Sequence, residues 1–184
     1  MKLGFAPLLL AFVSVTCLQS TAKPLYEKGG GFVPDERIPY KTAFGKKEKT
    51  AEELHLEFFY PEGFAKTDPR PCIVFFFGGG WTGGDTSQFY AQSKYLSSRG
   101  MVAVCAQYRR SLKTAKPVWC VEDARSSIRF LRKHASRLGL DPKRIAAGGG
   151  SAGGHLAAAA ATIGAFDCKD DDLSVSAIPD ALVL

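Results

Sequence analysis

Residues 144–160 read "RIAAGGGSAGGHLAAAA": a strand-like apolar run, glycines on both sides of Ser151, then an alanine-rich helix. A serine on a tight turn between strand and helix suits a nucleophile. A glycine loop opening a helix equally suits a phosphate. The surrounding sequence has to decide between them.

Outward from this stretch, apolar strands and amphipathic helices alternate. "LHLEFFY" (54–60), "CIVFFF" (72–77), "MVAVCAQ" (101–107), "RIAAG" (144–148) and "ALVL" (181–184) read as strands, several of them apolar on both faces. Residues 87–100 read as a helix closed by Gly100. Residues 118–139 form a second, with Val118, Val121, Ala124, Ile128 and Leu131 at three- and four-residue steps and Gly139 at its end. Residues 152–163 form a third. Strands and helices at this spacing imply a mostly parallel, doubly wound α/β sheet with helices on both faces, joined by right-handed crossovers.

The first 22 residues, "MKLGFAPLLLAFVSVTCLQSTA", differ from the rest. One early lysine, an apolar run from Leu8 to Val15 and small residues at Ser20 and Ala22 match an export signal cleaved after Ala22. The apolar run is shorter than the roughly 20 residues that span a bilayer, so no stable membrane span is expected. Residues 23–52 mix Pro, Gly and charge and read as an extended arm. The α/β domain then occupies 53–184. Loss of the signal takes away Lys2 and lowers the net charge from +6 to +5. The basic residues are dispersed, apart from "GKKEK" at 45–49, which argues against a nucleic-acid partner. Cys72 and Cys105 lie in apolar strands and read as packing residues, whereas a Cys120–Cys168 disulfide stays open. Their spacing fits no metal site.

Two stretches satisfy the dinucleotide pattern G-x-G-x-x-G: Gly78, Gly80, Gly83 and Gly148, Gly150, Gly153. After the first, the next strand ends in Gln107-Tyr108-Arg109, where a ribose-binding acid belongs. The second comes late in the chain for a first βα turn. Neither carries a phosphate-loop lysine. By contrast, Gly149-Gly150-Ser151-Ala152-Gly153 is a G-x-S-x-G turn with a strand before it and a helix after it, the setting of a nucleophile elbow. "FFFGGGWTGGD" (75–85) follows another strand, where consecutive glycines can aim two N–H groups at one point. Ser151 is therefore the expected catalytic nucleophile, and the N–H groups of Gly79, Gly80 and Ala152 the expected oxyanion hole.

"FGGGW" (77–81), "SRGMVAVCAQYR" (98–109), "CVEDARSSIRFLRKHASRLGLDPKRIAAGGGSAGGHLA" (120–157) and "IPDALVL" (178–184) resemble the α/β-hydrolase superfamily. The likeness is to hormone-sensitive-lipase-like carboxylesterases and the related acetyl-xylan and feruloyl esterases. It implies hydrolysis of a small-molecule or carbohydrate-linked ester through an acyl-enzyme, without metal or organic cofactor. In two places the chain departs from that pattern. Phe77 stands where such enzymes carry a histidine that orients the glycine loop. The triad order in this fold is Ser, then Asp or Glu, then His, yet His55 and His134 precede Ser151, and His155 lies one helical turn beyond it. His155 reads as packing support for the elbow. Asp167, Asp170, Asp171 and Asp172 read as a solvated loop, and Asp123, Asp141 and Asp180 as structural. The polypeptide is therefore expected to stop before its acid and base, as the N-terminal two thirds of an exported esterase, and to be inactive alone. A non-catalytic hydrolase-like protein or a nucleotide-binding module is the alternative. Oligomeric state is not legible.

Overall fold

The computed structural model describes residues 28–44, 51–110 and 116–184. The export signal of residues 1–22 lies outside the described residues. One mixed sheet organises the chain, from β1 (Glu36–Phe44), β2 (Ala51–Phe59), β3 (Arg70–Phe76), β4 (Val102–Ala106), β5 (Leu140–Gly149) and β6 (Ala181–Val183) in the order β1-β2-β4-β3-β5-β6. β2 alone runs against the other five strands.

The central strands are apolar on both faces because helices cover both. On one face Ile73 and Phe75 of β3 join Ala103 and Cys105 of β4 and pack under α1 (Tyr90–Ser98). On the other, Cys72, Val74 and Phe76 meet Val102 and Val104, beneath α2 (Pro117–Lys133) and α4 (Ala152–Thr162). The predicted 118–139 helix breaks at His134, and the short helix α3 (Ala135–Leu138) continues to Gly139, whose φ of 67° closes it as anticipated. Residues 86–89 form a 3₁₀ turn rather than the first turn of α1.

The segment read as an aperiodic arm contains β1. Eight registered pairs join it to β2, with an irregularity between Pro39 and Lys41. Pro39 can offer no N–H to a ladder, which an edge strand tolerates at a bulge. Ile38 and Tyr40 turn onto the core while Arg37 and Pro39 face solvent.

The acidic loop expected to be solvated is instead clamped to α2. Asp167 pairs with Arg125 and Arg129 at 2.7 Å each, Asp171 with Arg129 at 2.7 Å, and Asp172 with Lys133 at 2.9 Å. Arg125 and Arg129 are themselves buried, so these pairs hold the loop down rather than decorate it. Cys72, Cys105, Cys120 and Cys168 are free thiols, so Cys120 and Cys168 are not bridged. Burial pushes the Cys105 and Cys120 thiols up to about 12, and raises Cys72 also, so all three behave as small hydrophobes.

Candidate active site

β3 and β5 are parallel neighbours, with Phe76 paired to Gly149, so the loops leaving their carboxyl ends lie side by side. The first loop runs from Phe77 to Gly84 and the second is the turn at Ser151.

Ser151 has φ 54° and ψ −120°, a backbone conformation that side-chain-bearing residues avoid. It sits between the last residue of β5 and the first turn of α4, and its side chain is exposed. The flanking glycines have a steric reason. A Cβ at Gly153 would lie 1.9 Å from the Phe76 carbonyl oxygen, and one at Gly149 would lie 2.5 Å from the same atom. Only glycine lets the strand and the start of α4 approach β3 so closely. Among the described residues, no side chain hydrogen-bonds Ser151 Oγ. Ala152 opens α4, where N–H groups lack intrahelical acceptors and the helix dipole is positive.

The glycine loop folds back on itself. The carbonyl of Gly79, at φ 136°, accepts from the N–H groups of Thr82 (3.2 Å) and Gly83 (2.9 Å). Trp81 also adopts a positive φ, 63°. Its ring meets the His155 ring edge-on at 5.3 Å, so the exposed His155, read from the sequence as packing support for the elbow, contacts the glycine loop instead. His55 pairs with Glu53 beside the β1 edge, and His134 ends α2 against Phe130, so neither meets Ser151. The acids are committed elsewhere. Asp123 is fully buried between Arg109 (2.8 Å) and Lys41 (2.8 Å). Asp180 accepts from the Ile145 N–H (2.8 Å) and from Arg132 (2.9 Å). Asp141 accepts from the Lys143 N–H and Arg144, and these hold its carboxyl below the usual range.

Three side chains that sequence reading missed hold the glycine loop. Tyr108 donates its hydroxyl to the Phe77 carbonyl at 2.7 Å and stacks on the Phe77 ring at 4.2 Å. Gln88 accepts the Gly78 N–H at 2.6 Å, and Arg110 donates to the Gly84 carbonyl at 2.8 Å. The phenylalanine in place of a loop-orienting histidine is thus absorbed by stacking. The one signal for this in the sequence is the departure at Phe77 itself, which says that another residue must orient the loop without saying which.

Comparison with known proteins agrees with this geometry. The BD-FAE family model matches residues 56–179. An AB hydrolase superfamily protein of Schizosaccharomyces pombe, C1039.03, is 31% identical over 61% of this chain and 33% of its own length. The carboxylic ester hydrolase LipN of Mycobacterium tuberculosis is 36% identical over 59% of this chain and 28% of its own. The apo structure of Thermogutta terrifontis esterase 2 superposes with a TM-score of 0.74 at 40% identity, covering 80% of this chain and 53% of that one. The chain thus spans about a third of these curated relatives and about half of that esterase. With a turn serine between β5 and α4, a glycine loop on the adjacent strand and a family model matched over most of its length, the chain belongs to the BD-FAE family and has the α/β fold of the carboxylic ester hydrolases.

Proposed function

We propose that the chain carries the nucleophile and oxyanion hole of a serine hydrolase acting on carboxylic esters. The observation that carries this reading is the strained, exposed Ser151 at φ 54°, set beside a glycine loop with N–H groups to spare. Backbone strain at an exposed serine has no packing benefit, and a reactive position explains why it is kept. In the reaction, Ser151 Oγ bonds to the ester carbonyl carbon and the carbonyl π pair moves onto oxygen. The N–H groups of Gly79, Gly80 and Ala152 donate to that oxyanion. Its collapse breaks the bond to the alkoxy oxygen, which takes up the proton that Ser151 Oγ gave up and leaves as the alcohol, and the acyl group stays on Ser151 until water releases the acid.

Proton transfer needs a general base, a part played by histidine in such triads. His55, His134 and His155 are engaged elsewhere, so with no base to take the Oγ proton these residues alone support only slow, stoichiometric reaction of Ser151 with an activated ester or phosphate. Small esters, free or carbohydrate-linked, are the substrate class. Solved forms of the Thermogutta esterase with propionate and with butyrate bound favour short acyl groups. We place the protein outside the cytoplasm, with Lys23 as the mature N-terminus after the 1–22 signal is removed. A mature chain found to start at Met1 would contradict that.

The test uses paraoxon, which phosphorylates that esterase. Peptide mass spectrometry of the treated chain is expected to find slow, single labelling on Ser151, absent in Ser151→Ala. Hydrolysis of p-nitrophenyl acetate is expected to stay at the Ser151→Ala level. Equal labelling of Ser151→Ala would sink the nucleophile assignment. Enzyme-like turnover abolished by Ser151→Ala would overturn inactivity of the chain alone.

A further inference from the structure

We propose that Gln88 is a positioning residue for the oxyanion loop: by taking up the Gly78 N–H it determines which glycine donors are left to face Ser151. The inference rests on the hydrolase reading above and deepens it.

Gly78 is the loop residue pressed against the elbow. A Cβ there would lie 2.8 Å from the Gly150 carbonyl oxygen and 3.3 Å from the Cβ of Ser151. Its N–H is nevertheless occupied, because Gln88 Oε1 accepts it at 2.6 Å. The N–H groups of Gly79 and Gly80 have no acceptor among the described residues. Three consecutive glycine donors are thereby reduced to two, and the peptide ahead of those two is anchored at a stated point. An unanchored run of glycines would sample many orientations, and its donors would have to be ordered as charge develops.

Gln88 itself is exposed, and an exposed glutamine is ordinarily free to turn. Here its backbone is held on both sides. Asp85 Oδ1 accepts the Ser87 N–H at 3.1 Å, and the Gln88 N–H donates to the Asp85 carbonyl at 3.3 Å, which sets the 3₁₀ turn. On the other side the Phe89 ring stacks on Phe75 at 4.9 Å, nearly parallel. The Gly78 N–H requires an acceptor, so the amide presents its oxygen and not its NH₂. Tyr108 pins the preceding carbonyl, of Phe77, from the opposite direction. The loop is thus gripped at both ends of a single peptide group, Phe77–Gly78, before its free donors begin.

Two readouts on the full chain test this, one without any reaction. In ¹⁵N-labelled protein, exchange of the Gly78 amide is expected to quicken about tenfold in Gln88→Ala, the worth of one hydrogen bond. In Gln88→Glu, which keeps the acceptor, it is expected to stay slow. Ser151→Ala should leave it unchanged. The rate of paraoxon labelling at Ser151 is expected to fall roughly tenfold in Gln88→Ala, the cost of misplaced donors, with the thermal midpoint lowered by no more than about the few degrees that one hydrogen bond is worth. Unchanged Gly78 exchange in Gln88→Ala would overturn the proposal. So would a lowered midpoint with labelling at the wild-type rate, which would make Gln88 merely structural. If wild-type Ser151 takes no label while exchange behaves as stated, the hydrolase reading fails and the hydrogen bond stands.

Discussion

At Ser151 the backbone and the chemistry pull in opposite directions. A φ of 54° with ψ −120° disfavours any residue with a Cβ, so Ser151→Gly is expected to raise stability over Ser151→Ala by about 1 kcal/mol. Urea midpoints of the two variants, at equal denaturant slope, measure it. Gly153 has the reverse constraint. A methyl group there would sit 1.9 Å from the Phe76 carbonyl oxygen, too close to relieve without parting β3 from α4. Gly153→Ala is expected to cost about 3 kcal/mol, at the upper end for overpacking, and to lower the thermal midpoint accordingly. The need for small residues here is legible in G-x-S-x-G. The atom that enforces it is not, because Phe76 lies far away in sequence and meets Gly153 only once β3 and β5 pair.

The second helix is the element on which most of the remaining ion pairing converges. Asp123 is fully buried, held by Arg109 through both carboxylate oxygens and by Lys41 from β1. Asp123→Ala would take the fully buried carboxylate from Lys41 and Arg109, although Arg109 keeps Glu122 at 3.0 Å, at an expected cost of about 3 kcal/mol in denaturant unfolding. Further along α2, Arg125 grips Asp167, and Arg129 grips Asp167 and Asp171. Because these aspartates keep some exposure, Arg129→Ala is expected to cost less, about 2–3 kcal/mol. The same clamp gives a pH dependence. Hydrogen bonds from Arg125, then Arg129, hold the Asp167 carboxyl below its usual 3.8, and Ser174 with Lys133 brings Asp172 to about 2. Groups with depressed values stabilise the fold when ionised. Their contribution is complete above about pH 5 and is lost as pH falls through 3.8 towards the folded values. Asp167→Asn is therefore expected to be less stable than wild type at pH 7, with the difference shrinking below pH 4 in a pH series of urea titrations. The aspartates stood out in the sequence as a polar loop. Their arginines are spaced along a helix some forty residues earlier, a pairing that only folding creates.

Across the whole molecule, β6 is the outer strand of the described sheet, and Leu182, Val183 and Leu184 are exposed, with Ile178 beside them. At this scale, sequence and fold divide the work unevenly. Local hydrophobicity is enough to find β2 to β6 and the three main helices, since each element's apolar residues are set by its own period. The elbow is equally legible, because strand, serine, glycines and helix are contiguous. By itself, then, the sequence determined the α/β class, the turn serine and the glycine loop beside it. Only the tertiary structure decided that residues 36–44 form an edge strand, that β2 runs against its neighbours, and that Gln88 and Tyr108 hold the loop. Each of these depends on hydrogen bonds or packing between residues far apart in sequence, whose free energy exists only after the sheet has assembled.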